Sequence, residues 1–434
     1  MVQAITGGCY GDEGKGKITD LLASKADYVV RFQGGANAGH TVINEYGKFV
    51  LHLLPSGVFH GHTVNLLASG VAFDADAFFS ELTMLKERGI PTPNVLVSSH
   101  VHILLPIHKL QDRLEEERLG KHAFGSTLSG ISPFYADKYA KRNFRIAELY
   151  EDGLKEKIVR FCEDKNTFFR AFYGVENAIT ISELTEYLLL LRERLRPFLC
   201  DAVSVLQEAI KNGKRILLEG QLGSLRDVEN GIYPYVTSSS PLAGFASAAA
   251  GIPPYEIRAI TSVVKAYSTC VGAGPFVGEL FGEQADELRR RGGDSGEFGA
   301  TTGRPRRMAW FDCVAARYGC TLQGATEVTL TMLDVLGYLE RIPVCIAYTI
   351  DGQLTDRFPE THLLCRAEPV YAYLDGWRCD ISKISKYEEL PEEARRYVEF
   401  VEKQIGFPIS MISVGPERNQ TIFRTTALVN KAKL

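Results

Sequence analysis

The feature that most constrains this chain is Gly7-Gly8-Cys9-Tyr10-Gly11-Asp12-Glu13-Gly14-Lys15-Gly16-Lys17, set between a short apolar segment (Val2 to Ile5) and a helical pattern from Lys17 to Ala26. Strand, glycine loop, helix is a layout that turns free backbone N–H groups toward an anion. The loop is not a Walker A sequence: no glycine stands at the required spacing before Gly14-Lys15, and Gly16 rather than Ser or Thr follows Lys15. Its physical content survives the mismatch. Gly11, Gly14 and Gly16 permit close backbone approach, and Lys15 and Lys17 supply positive charge. An acidic pair, Asp12-Glu13, inside an anion-binding loop is costly unless it binds Mg²⁺ or moves a proton.

Further strand-like runs are Tyr28 to Phe32, Asn94 to Ser98, Arg215 to Leu218, Val328 to Leu333 and Pro343 to Ile350, several of them apolar throughout, as strands buried on both faces are. Helical patterns fall between them: Ala75 to Arg88, a stretch from Thr180 to Lys211 opened by a capping box and kinked at Pro197, and Pro391 to Ile405. The alternation predicts an α/β fold with a large, mostly parallel central sheet flanked by helices. With no linker, repeat or low-complexity tract, residues 1–434 are expected to form a single domain with inserted subdomains. A net charge of −4 argues against nucleic acid or an acidic membrane as partner, and leaves small molecules as the expected ones. The nine cysteines include no C-x-x-C pair, and the N-terminal residues lack a secretory pattern, so reduced thiols in the cytoplasm are expected.

Two more loops carry polar chemistry. Gln33-Gly34-Gly35-Ala36-Asn37-Ala38-Gly39-His40-Thr41 surrounds one imidazole with small residues, and such a ring can donate to a phosphate oxygen as charge accumulates. Gly299-Ala300-Thr301-Thr302-Gly303-Arg304-Pro305-Arg306-Arg307 places hydroxyls and arginine forks, suited to carboxylates and phosphates, on a glycine-hinged loop.

Together with Leu51 to Gly57, Tyr233 to Ser239, Lys265 to Thr269, Val271 to Phe276 and Ser413 to Pro416, these loops resemble the adenylosuccinate synthetase family over nearly the whole chain. The resemblance implies a P-loop-NTPase-like fold with insertions. It also implies a GTP-dependent ligation of L-aspartate to IMP through 6-phosphoryl-IMP, with Mg²⁺ and a homodimer that shares its active sites. Carried over by position, Asp12 and His40 are catalytic, and Asp12 and the Gly39 carbonyl ligate the metal. GTP falls to Gly11, Asp12, Glu13, Gly14, Lys15, Gly16, Lys17, Arg306, Met332, Leu333, Asp334, Ser413, Val414 and Gly415. IMP falls to Asp12, Lys15, Asn37, Ala38, Gly39, His40, Thr127, Leu222, Thr237 and Arg304, with Lys141 reaching in from a partner subunit. Aspartate falls to Ala300, Thr301, Thr302 and Arg304.

The sequence departs from the family pattern at Leu222 (an amide in the family, with Gln221 beside it), at Met332 (a lysine), at Ser129 (a basic loop), and at Lys141 and Cys270 (arginines). Two other readings therefore stand beside the first. One is a paralogous ligase with the same phosphoryl activation and a different oxo-substrate, amine or triphosphate. The other is a non-catalytic nucleotide-binding protein.

Overall fold

The computed structural model describes residues 1–293, 295–299 and 303–425. Among them, ten strands form the central sheet, in the order 421–423, 409–413, 327–331, 257–265, 2–7, 216–219, 28–31, 64–67, 94–98, 199–200. Neighbours run parallel throughout except 409–413 with 421–423. The central strand β1 (Val2–Gly7) is flanked by Ile216–Glu219, buried at every position, so its apolar run is what a strand covered on both faces requires. Ligands of such sheets bind outside the carboxyl ends of the strands. Here those ends carry Gly7, Arg31, Glu219, Lys265, Thr331 and Ser413.

Helix α1 (Lys15–Ala23) begins two residues earlier than the hydrophobic pattern predicts, because Gly14 adopts a left-handed φ of +89° that lets the chain turn directly into it. No side chain caps this helix, which leaves its first N–H groups for a ligand. The expected strand over Val328 to Leu333 instead spans Glu327–Thr331: Met332 is left-handed, and Leu333–Tyr338 forms a 3₁₀ turn. The stretch expected to be one kinked helix to Lys211 is interrupted more fully. Helix Ile181–Leu195, opened by Thr180 as expected, yields to a turn around Pro197, an edge strand (Leu199–Cys200), and a new helix (Ala202–Lys211) whose N-terminus Asp201 caps.

A hairpin of His40–Asn44 and Gly47–Leu51 stands against α1. Val42, Phe49 and Leu51 anchor it in the larger hydrophobic core beside Phe73, Phe78 and Phe144, so the backbone at His40 is held from below. A second core, around Trp310, Trp377 and Tyr397, supports the sheet that contains Arg307–Asp312. No helix among the described residues is long and apolar enough to cross a membrane.

Candidate active site

Two cavities open above the carboxyl ends of the strands, of about 350 Å³ and about 770 Å³. The smaller is lined by Gly14 to Lys17, His40, Thr331, Met332, Asp334, Ser413 and Gly415. The larger is lined by Tyr10, Gly11, Asn37, Thr127, Arg226, Tyr235 and Thr237, among others. Asp12, Ala38, Gly39, Leu222, Gly299 and Arg306 line both. The first glycine loop and the end of the second thus form a shared wall, with Asp12 in it.

The two loops that form that wall are braced by buried polar groups. Glu13, expected to face the nucleotide, turns back into its own loop: its carboxylate accepts from the Cys9 and Gly11 N–H groups and pairs with Lys15 Nζ at 2.7 Å. Arg31 holds the second loop through the Gln33 and Gly35 carbonyls. His40 Nδ1 lies 2.6 Å from Glu219 Oε1, and Glu219 also accepts from the Ser56 N–H and hydroxyl. Burial pushes the His40 pKa down, and the Glu219 carboxylate only partly offsets it, so the resting ring is neutral. Its Nε2 has no partner among the described residues. Contact with α1 is close: a Cβ on Gly16 would stand 2.8 Å from His40 Cβ, which explains why glycine follows Lys15.

Arg306 Nε is 3.0 Å from Asp12 Oδ2, while its other end is clamped to Glu297. Glu297 is fully buried and also accepts from Lys265 Nζ and the Tyr267 hydroxyl. Burial raises the Glu297 pKa, but the Lys265 ammonium and the Arg306 guanidinium outweigh it and hold the group at about 2. The carboxylate is therefore a permanent anchor for Arg306.

At the strand ends of the smaller cavity, Asp334 is pushed up to about 6 by burial, and its Oδ1 has no hydrogen-bond partner among the described residues. Lys17 does not extend toward the phosphate end as expected. Its Nζ donates to Ser413 Oγ and to the Gly415 and Gln420 carbonyls, and burial lowers its pKa to about 7. Leu333 and Val414 face the core and line neither cavity. Gln221, which could stand in for the missing amide at Leu222, is spent on the second loop, exchanging hydrogen bonds with Gly35 and donating to the Ala38 carbonyl. Met332 lines the smaller cavity with its Sδ 3.1 Å from the Tyr267 hydroxyl. Arg304 is exposed and donates to the Gly125 carbonyl at 3.2 Å, next to the second cavity. Lys141 is exposed and lines neither cavity of its own chain. Ala300, Thr301 and Thr302 lie outside the described residues.

A family model of adenylosuccinate synthetase matches residues 4–422. The chain belongs to the adenylosuccinate synthetase family. It is 45% identical to the adenylosuccinate synthetase of Mycobacterium marinum over 99% of each chain, and 43% identical to that of Alkaliphilus metalliredigens over 97% of this chain and 98% of the relative. The structure of fully ligated adenylosuccinate synthetase from Plasmodium falciparum superposes with a TM-score of 0.89 at 32% identity, covering 98% of this chain and 99% of that one. A succinoaminodeoxyadenylate synthetase of cyanophage S-2L shares the fold at a TM-score of 0.62 and 18% identity, over 99% of each chain.

Residue-level reading of the sequence missed the support beneath the site. Glu219 closes an otherwise apolar buried strand at its carboxyl end, and Lys265 follows the buried pair Val263-Val264 at the end of another; an ionisable residue in that place is the signal that could have found them. Glu297 carries no comparable local signal, since its partners Lys265, Tyr267 and Arg306 come from two separate segments.

Proposed function

We propose that this chain joins L-aspartate to IMP at the expense of GTP, giving adenylosuccinate, GDP and phosphate. The observation that carries the reading is the wall shared by the two cavities, in which Asp12, Gly39 and Arg306 stand between a nucleotide-sized chamber and a second one. Asp12 takes the N1 proton of the hypoxanthine as O6 attacks the γ-phosphorus, and the bond from that phosphorus to the departing GDP oxygen breaks. The aspartate amine then attacks C6, sheds a proton, and phosphate leaves with O6. Little covalent work falls to the protein, so position and charge stabilisation supply the rate.

The neutral His40 ring donates Nδ1–H to Glu219 and presents Nε2 unprotonated, so it must gain a proton before it can donate to a phosphoryl oxygen. A bound triphosphate supplies the negative charge that favours this. Mg²⁺ takes one or two carboxylates together with substrate phosphates, and the Asp12 carboxylate and Gly39 carbonyl offer that oxygen donor set. The ion, when bound, spreads the charge of the phosphates. Asp334 accepts from the N1–H and 2-amino groups of guanine, a donor pair adenine lacks. Lys141, exposed on its own chain, serves the active site of a second copy.

Purified protein incubated with Mg²⁺, IMP, aspartate and GTP or ATP is expected to form adenylosuccinate with GTP, followed by absorbance. Absence of product with either triphosphate defeats the reading. Because Leu222 supplies no amide to the shared wall, other 6-oxopurine nucleotides belong in the same assay. Phosphate release with one of them but not with IMP identifies a paralogous ligase.

Two further outcomes follow from the geometry. Protonation removes the charge on Asp334 as pH falls through about 6, so affinity for GTP is present above that value and lost below it. The ionised fraction drops about fourfold between pH 7 and 5.5, and the KM for GTP should rise accordingly. An Asp334→Asn variant should bind GTP weakly with a flat profile, and a wild-type KM that is constant over this range contradicts the assignment. Gly16→Ala drives a methyl to 2.8 Å from His40 Cβ. It is expected to cost kcat about tenfold or more through misplacement of the ring, with a melting temperature lowered only modestly. Unchanged turnover would show that the hairpin gives way freely.

A further inference from the structure

We infer that Arg226 is a positioning residue for the amino-acid substrate, an inference that rests on the ligase activity proposed above. Arg226 ends the turn Ser224–Arg226 and is buried, with 8% of its surface exposed. Its Nη1 donates to the Tyr235 carbonyl, and its Nη2 to the Val271 carbonyl at 2.7 Å and to Cys270 Sγ at 2.8 Å. The guanidinium carbon lies 5.7 Å from the centroid of the Tyr10 ring, in the first glycine loop. One side chain thereby fastens three segments of the larger cavity's wall, at Arg226, at Tyr233 to Thr237 and at Thr269 to Ala273.

The charge makes this more than a staple. Arg307 binds the other half of the same loop, at the Gly272 and Gly274 carbonyls, and Glu279 balances its charge. Arg226 forms no such ion pair among the described residues, and its acceptors are all neutral. A buried guanidinium in that state is costly unless a ligand brings negative charge to the same space. The loop it holds meets the segment that Arg304 contacts, and Arg304 is the described residue to which the family resemblance gives aspartate: the Ala273 N–H donates to the Phe124 carbonyl, and Arg304 donates to the next residue's carbonyl, at Gly125. Cys270, whose sulfur touches the guanidinium, stands where the family resemblance gives an arginine.

The test is steady-state kinetics on Arg226→Leu, Arg226→Gln and the double variant Arg226→Leu/Cys270→Arg. Because Cys270 Sγ is 2.8 Å from Nη2, an arginine at 270 re-enters the space vacated at 226. Loss of the fork should raise the KM for aspartate about tenfold with the KM for GTP held within about twofold, and the double variant should recover most of the loss. A merely structural staple would raise the KM of every substrate together and lower the melting temperature. That pattern, an unmoved KM for aspartate, or a double variant no better than the single one overturns the inference. If Arg226→Leu does not fold, Arg226→Gln decides, since it keeps hydrogen-bond donors without the charge, and an unaltered KM for aspartate then counts against the inference. Failure of the ligase reading is a separate result, seen as no adenylosuccinate from the wild-type protein.

Discussion

Replacing Asp12 by asparagine is expected to lower kcat by about three orders of magnitude and to leave the protein folded, measured by adenylosuccinate formation beside a thermal melt. Asparagine matches the side chain in size and tolerates the left-handed φ of +59° at this position. What it loses is the basic oxygen proposed to take the N1 proton, without which O6 is a poor nucleophile toward phosphorus. The fold has little at stake. Arg306, the ion-pair partner of Asp12, keeps its clamp on Glu297, and a partly exposed pair such as Arg306–Asp12 contributes about 1 kcal/mol or less. Retention of most activity in this variant would remove Asp12 from the reaction.

The second large effect concerns His40 and the group behind it. His40→Asn should lower kcat by about two to three orders of magnitude, the scale seen when one donor to a developing oxyanion is removed. Glu219→Gln keeps the shape of the partner and most of its hydrogen bonds but withdraws the negative charge that lets the buried ring become cationic. It should therefore be impaired in kcat with little change in the KM for GTP. The double variant should be scarcely worse than His40→Asn alone, because the two residues act as a unit. A direct readout is the titration of His40 by NMR: its pKa lies below the ordinary histidine value in the free protein and should move up when a triphosphate analogue binds. No movement would mean that the ring does not become the donor proposed for it.

Much of this arrangement was legible in the sequence, for reasons that are local. The first glycine loop announces itself because tight turns need glycine and an anion site calls for lysines and a helix start, and all of these lie within eleven consecutive residues, Gly7 to Lys17. The parallel sheet is legible because strands such as Ile216–Glu219 are buried at every position and read as unbroken apolar runs. The direction of individual side chains was not legible. Lys15 and Lys17 look alike in the sequence. Yet one is tied to Glu13 two residues away, and the other to a segment about 400 residues on. Nor could pattern alone show that Gln221 is used up in bracing the second loop, or that Arg226 reaches Cys270, since both depend on how distant loops meet. The extent of the helices failed for a comparable reason. The break after Leu195 follows from a proline, an edge strand and an aspartate cap acting together, where Pro197 alone suggested a kink.

Asp12 is proposed to stand where a phosphoryl group crosses from one chamber to the other, onto the oxygen of the substrate, before any amine attacks. The measurement that tests it most directly uses IMP labelled with ¹⁸O at the 6-position, incubated with GTP, aspartate, Mg²⁺ and the protein, with the released phosphate examined by mass spectrometry. One ¹⁸O atom is expected in each phosphate formed alongside adenylosuccinate. Adenylosuccinate accompanied by unlabelled phosphate would contradict it, because the 6-oxygen would then have left without ever having been bonded to phosphorus.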